Sequence, residues 1–215
     1  MTGIKICGLT EIQNTLEVVR LGPDMVGTIV DVGVETPREI TRQKANEIFN
    51  HVPKNIGKVM VSMIDEIQED IELLDKVNAD YIQIHNSLKP RKLEKIRNKT
   101  DKKIIAVLPI KCNQKEKAKI MQHAEELSKV SDFLLLDSAS PRGGGTGKTH
   151  DWELSSKIRE KVDVPIILAG GLRPENVGSA VEKVNPKLVD VSSGVESEPG
   201  IKSIYMVKKF IERVD

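Results

Sequence analysis

A single α/β domain closing into a (β/α)8 TIM barrel is predicted from three observations. Short β-rich runs alternate eight times with longer segments of helical period, several strand runs are almost continuously apolar, and no Pro/Gly/Ser-rich linker or charge block interrupts residues 1–215. Strands apolar on both faces belong to parallel sheets covered by helices, and eight right-handed β-α crossovers close most simply into a barrel. At 215 residues this barrel is lean beside the roughly 250 usual for the fold. An open doubly wound sheet is the second architecture compatible with the same beat.

The first unit pairs a strand over 4–7, Ile4-Lys5-Ile6-Cys7, with a helix over 11–21. The second pairs 25–30 with 41–50, the third 57–63 with 67–77, the fourth 80–84 with 88–98 and the fifth 103–108 with 116–129. The sixth strand, 132–136, carries the uninterrupted Phe133-Leu134-Leu135-Leu136 run; its helix spans 151–161, with Asp151 placed to accept from the free amides at its start. The seventh strand, 164–169, contains Pro165-Ile166-Ile167-Leu168-Ala169. Its helix spans 174–184, with Pro174 in the first turn, where a missing N–H is tolerated, and Glu175 near the positive end. The eighth strand, 187–191, leads to a helix over 201–214, and the helical stretches carry their charge on one side. No repeat of 20–50 residues is superimposed on this β-α beat.

Thirty-three basic residues against thirty-two acidic ones leave a formal charge of +1, so no bulk field draws the chain to nucleic acid or to a membrane surface. No stretch approaches the roughly 18 apolar residues of a membrane span, and none reads as a secretory leader. A soluble, cytoplasmic protein, monomer or homodimer, is the expectation. The two cysteines, Cys7 and Cys112, have no C-x-x-C spacing and no adjacent histidine, which argues for free thiols rather than a disulfide or a zinc site.

Chemistry is expected at the strands' carboxyl ends, where such barrels keep it. Cys7 closes the first strand run and is followed by Gly8; Asp137 closes the sixth and is followed by Ser138. A thiol and a carboxylate on one rim offer a base and an acid to a single bound molecule. The turn from Ser138 to His150, which includes Gly143-Gly144-Gly145-Thr146-Gly147-Lys148-Thr149, is longer than a connection requires and is expected to touch ligand. It is not a P-loop, because Arg142 stands where that motif needs its first glycine. Two more glycine clusters, Ala169-Gly170-Gly171 and Ser192-Ser193-Gly194, follow the seventh and eighth strands, where bare backbone amides bind phosphate in barrels of this kind. A phosphorylated small molecule is therefore the expected ligand.

Five strings, KICGLT at 5–10, LLLDS at 134–138, GGTGKTHDW at 144–152, AGGLRPENV at 169–177 and VDVSSGVES at 189–197, followed by Pro199-Gly200-Ile201-Lys202, resemble in order and spacing the phosphoribosylanthranilate isomerase family of tryptophan biosynthesis. The resemblance implies an Amadori rearrangement of N-(5-phosphoribosyl)anthranilate to 1-(2-carboxyphenylamino)-1-deoxyribulose 5-phosphate, without cofactor or metal. It implies Cys7 as general base and Asp137 as general acid. Substrate contacts are implied for Arg38, His85, Gly144, Gly145, Gly147, Gly170, Gly171, Asp190, Ser192, Ser193 and Gly194. For this chemistry Asp137 must be kept partly protonated by burial or charge crowding, and Cys7 partly ionised by nearby positive potential.

The match frays at three places. Residues 28–38 lack the family's aromatic, proline-bearing run, and only Arg38-Glu39-Ile40 resembles its ending, where the arginine pairs with the anthranilate carboxylate. Gln83-Ile84-His85 resembles the family's Q-L-H, but Asn86 replaces a glycine. Val107-Leu108-Pro109-Ile110 lacks the usual K-A pair. Two other functions are weighed against this one: a related aminoaldose-phosphate isomerase of histidine biosynthesis, and a barrel that binds phosphate ligands without turnover.

Overall fold

The computed structural model describes residues 1–63, 75–86, 89–112, 114–138 and 149–214. Eight parallel strands, β1 (Gly3–Cys7), β2 (Met25–Ile29), β3 (Gly57–Ser62), β4 (Tyr81–Ile84), β5 (Lys103–Ile110), β6 (Phe133–Ser138), β7 (Ile166–Leu168) and β8 (Leu188–Val191), pair in chain order. Strand β8 returns to pair with β1, Lys5 opposite Asp190, which closes the barrel and rules out the open sheet. The helices among the described residues are α1 (Ile12–Val19), α2 (Arg42–Asn50), α3 (Pro90–Arg97), α4 (Lys117–Ser128), α5 (Trp152–Lys161), α6 (Val177–Val184) and α7 (Ile204–Val214). A short antiparallel pair, β9 (Glu196–Glu198) and β10 (Ile201–Lys202), lies between β8 and α7. The helix expected over 67–77 falls largely outside the described residues.

The near-continuous apolar runs are explained by two separate cores. Between sheet and helices, Ile4, Ile6, Leu134, Leu136, Val189 and Val191 pack against the apolar faces of the helices, such as Val207, Phe210 and Val214 of α7. Inside the barrel, Cys7, Val59, Val61, Ile105, Val107, Leu135 and Ile167 form a second cluster. Successive strand residues alternate between these cores. That parity places Lys5 with Cys7 on the inward face of β1, Asp137 with Leu135 on that of β6, and Asp190 with Leu188 on that of β8.

At the amino ends of the strands one device recurs. Asp24, just before β2, accepts from the Ile4 amide at 2.7 Å; Asp80, before β4, from Lys58 at 2.9 Å; Asp132, before β6, from Ile104 at 2.7 Å. Each carboxylate satisfies an entry amide of the preceding strand. Asp151 caps α5 as expected, its Oδ1 accepting from Leu154 N at 3.1 Å, and Thr41 caps α2 in the same way.

Most expected boundaries shift by no more than two residues, and two helix starts move by three. Pro174 lies in a turn ahead of α6, which begins at Val177, because Asn176 ties the turn down by accepting from Arg173 N at 2.9 Å and donating to Gly171 O at 3.0 Å. Ile201 and Lys202 belong to β10 rather than to the last helix, which begins at Ile204.

Candidate active site

Ten of the residues expected at the site, Cys7, Arg38, His85, Asp137, Gly170, Gly171, Asp190, Ser192, Ser193 and Gly194, border one cavity of about 430 Å³ at the carboxyl ends of the strands. Gly144, Gly145 and Gly147 lie outside the described residues. Cys7 of β1 and Asp137 of β6 both border this space, together with residues of the loops after β7 and β8.

On the β6 side, burial pushes the Asp137 carboxyl above the usual range, against the pull of His85 and of the Ser138 amide. His85 Nε2 stands 3.8 Å from Asp137 Oδ2, and Ser138 N donates to Oδ1 at 2.7 Å. A raised carboxyl pKa is what a proton donor needs. Behind it, buried His150 lies 3.4 Å from Ser138 Oγ through Nδ1 and 2.7 Å from Ser155 Oγ through Nε2. Burial lowers the His150 pKa to about 4, so the ring is neutral. With Ser155 Oγ donating to Asp151 O at 3.3 Å, the consistent tautomer donates from Nε2 to Ser155 and accepts from Ser138 at Nδ1.

On the β1 side, burial pushes the Cys7 thiol up, Lys5 and Lys202 draw it down and Asp190 adds to the rise; the net direction is upward, so the positive potential of the two lysines works against the cost of burial. Lys5 is wholly buried and donates to Asp190 Oδ2 at 2.9 Å. Burial disfavours its charge, yet Asp190 and Cys7 together hold the ammonium above its ordinary range. Asp190 Oδ1 is buried with no hydrogen-bond partner among the described residues. Strand β2 puts Gly27 opposite Cys7, where a Cβ would come within 3.1 Å of Cys7 Sγ and 3.5 Å of Lys5 Nζ.

Arg38 is held by a protein carboxylate. Its Nε and Nη2 donate to Glu196 Oε1 and Oε2 at 2.9 and 2.6 Å, and buried Lys202 donates to the same Oε1 at 2.6 Å. Burial opposes ionisation of Glu196, but Arg38 and Lys202 outweigh it and lower its pKa. Lys202 also reaches Ser192 O at 3.3 Å, while Asn14 clasps the Lys202 backbone from both sides, donating to its carbonyl at 2.9 Å and accepting from its amide at 2.8 Å. The network ties the segment after β2 to the loop after β8.

The two glycine loops meet. A Cβ on Gly194, in the 3₁₀ turn after β8, would stand 1.9 Å from Leu172 O, and Gly170, at φ +80°, would carry its Cβ 2.4 Å from Ser138 N. Neither position has room for a side chain, and the bare backbone borders the cavity. Among the described residues, no three His, Cys, Asp or Glu side chains are grouped to hold a metal ion, and no helix is long and apolar enough to cross a membrane.

Sequence reasoning missed Lys5, Glu196 and Lys202 as members of the site. The signal for Lys5 was strand parity, which puts it on the same face as Cys7; Glu196 and Lys202 lay inside the recognised strings but carried no sign that they would pair.

The sequence family described as N-(5'-phosphoribosyl)anthranilate (PRA) isomerase matches residues 4–213. A relative named N-(5'-phosphoribosyl)anthranilate isomerase, from Haloarcula marismortui, is 41% identical over 212 residues, 98% of this chain and 95% of the relative. The crystal structure of phosphoribosyl anthranilate isomerase from Thermotoga maritima superposes with a TM-score of 0.86 at 32% identity, covering 100% of this chain and 98% of that one. A further solved structure of a phosphoribosyl anthranilate isomerase, in complex with reduced 1-(o-carboxyphenylamino)-1-deoxyribulose 5-phosphate, gives a TM-score of 0.82 at 28% identity, covering 100% and 98%.

Proposed function

The chain belongs to the N-(5'-phosphoribosyl)anthranilate isomerase family, and we propose that in it Asp137 gives, and Cys7 takes, the protons of the rearrangement. The protein is the isomerase of tryptophan biosynthesis that converts N-(5'-phosphoribosyl)anthranilate to 1-(2-carboxyphenylamino)-1-deoxyribulose 5-phosphate. The observation that carries the assignment of roles is that Cys7 and Asp137 border one cavity, from β1 and β6, beside two glycine loops.

The geometry supports the following sequence. The phosphate lies against the backbone of Gly170, Gly171, Ser193 and Gly194, which accept an anion without steric bulk. Asp137, its pKa raised by burial, delivers a proton to the furanose ring oxygen as the bond from that oxygen to C1 breaks, leaving an iminium on the anthranilate nitrogen. Cys7, as thiolate, then removes the proton on C2, and the resulting enolamine tautomerises to the ketone. Asp190 Oδ1 accepts from a sugar hydroxyl, and Arg38, whose Nε–Nη2 edge is taken by Glu196, meets the anthranilate carboxylate through its remaining nitrogen, Nη1. His85 steadies the Asp137 carboxylate once its proton has gone.

The same reading takes residues 1–215 as one barrel domain acting in the cytoplasm as a monomer or homodimer. Supplying N-(5'-phosphoribosyl)anthranilate to the purified protein and following the loss of its fluorescence tests the function; no turnover would overturn it.

A further inference from the structure

We infer that Lys5 is a positioning residue for the reaction: its buried ammonium, paired with Asp190 and lying beside Cys7, becomes the counter-ion of the Cys7 thiolate when substrate occupies Asp190. The inference deepens the reading of Cys7 as the base and rests on it.

Geometry comes first. Lys5 and Cys7 are two residues apart on the inward face of β1, and Lys5 has no exposed surface, so its charge must be matched inside the barrel. Asp190, its register partner on β8, matches it through Oδ2 at 2.9 Å. The other oxygen, Oδ1, is buried without a partner among the described residues, and Asp190 borders the cavity. A sugar hydroxyl is the donor that oxygen lacks, and every hydrogen bond Asp190 makes there draws its negative charge from Lys5. Thiol and ammonium converge on the spot that the missing side chain of Gly27 leaves open, 3.1 Å from Sγ and 3.5 Å from Nζ.

Among the described residues, the charges facing Cys7 come from four places: Lys5 on β1, Asp190 on β8, Lys202 on β10 and Arg38 after β2. Lys202 and Arg38 are both engaged by Glu196, at 2.6 Å and through a two-bond fork. Of these three cations, Lys5 is the one whose partner borders the substrate cavity. Burial holds the thiol up and Lys5 is the largest charge opposing it. When Asp190 is drawn toward substrate, the Cys7 proton leaves to solvent and the thiolate takes the ammonium; Lys5 keeps its own protons throughout.

The test reads the thiol directly. In a Cys112→Ser background, where Cys7 is the one remaining thiol, the pH dependence of alkylation by iodoacetamide reports the thiolate. Lys5→Met is expected to raise the midpoint by about one unit, roughly tenfold less thiolate at a given lower pH, and Asp190→Asn to move it the opposite way. Unchanged midpoints, or shifts in the same direction, would overturn the inference. Since Lys5→Met strands a buried carboxylate, a second measurement uses the native pair. The NMR signal of the Lys5 ammonium nitrogen is expected to step at the Cys7 midpoint and to lose that step in Cys7→Ser; no step overturns the inference whether or not the variants fold. Near-normal turnover by Cys7→Ser would instead overturn the base reading and leave the coupling standing.

Discussion

Arg38 and Glu196 meet fork to fork, Nε on Oε1 at 2.9 Å and Nη2 on Oε2 at 2.6 Å, joining the segment after β2 to the strand after β8. Lys202 shares the same carboxylate, so one anion balances two cations at the edge of the cavity. Glu196→Gln would leave those cations uncompensated, one of them fully buried. Urea unfolding should show a loss of about 3 kcal/mol, typical of breaking a buried pair from one side; a variant as stable as the parent would remove Glu196 from this role.

Replacing either proposed proton carrier should stop the chemistry without disturbing the barrel. Cys7→Ala and Asp137→Ala are each expected to lower kcat by at least roughly a hundredfold while circular dichroism stays unchanged. A near-normal rate in one variant would acquit that residue and leave the other in place.

His150 carries a pH signature of stability. Its folded pKa of about 4 lies below the ordinary 6.5, so between those values the unfolded chain binds the extra proton. The contribution is complete above the unfolded pKa and is lost as pH falls through the folded one, at most about 3 kcal/mol. Urea unfolding compared at about pH 7 and about pH 4.5 should show this acid-side loss in the parent and a smaller one in His150→Phe. Equal losses would mean that other groups set the acid limb.

The glycine loops can be tested by filling them. Gly194→Ala would drive a methyl group into Leu172 O, and Gly170→Ala would crowd the Ser138 amide at a backbone angle alanine resists. Each is expected to destabilise by about 1–3 kcal/mol and to weaken inhibition by inorganic phosphate about tenfold or more. Phosphate inhibition of parental strength in both variants would place the anion elsewhere.

What could be read in advance depended on how local the cause was. The eight successive strands, the capping role of Asp151 and the rim positions of Cys7 and Asp137 all follow from short-range signals, and the structure has them, with seven of the eight expected helices among the described residues. Lys5 was hidden in a run that reads as apolar, because a buried lysine is intelligible only once Asp190 is known to lie opposite it, 185 residues away. The Arg38–Glu196–Lys202 network required the β9–β10 turn, whose second strand reads from the sequence as the start of a helix. The direction of the Cys7 shift was not legible for a related reason: nearby positive charge can be guessed from a motif, but the cost of burying a thiol is a sum over the whole barrel interior. Pro174 fits a helix start by propensity and was outbid by the side-chain bonds of Asn176.

The three aspartates that fasten the strand entrances, Asp24, Asp80 and Asp132, sit at the opposite end of the barrel from the cavity. Anchorage and reactivity are thus assigned to different faces of one molecule. Changes around the mouth leave those clasps untouched, so its loops can vary without the architecture having to be rebuilt.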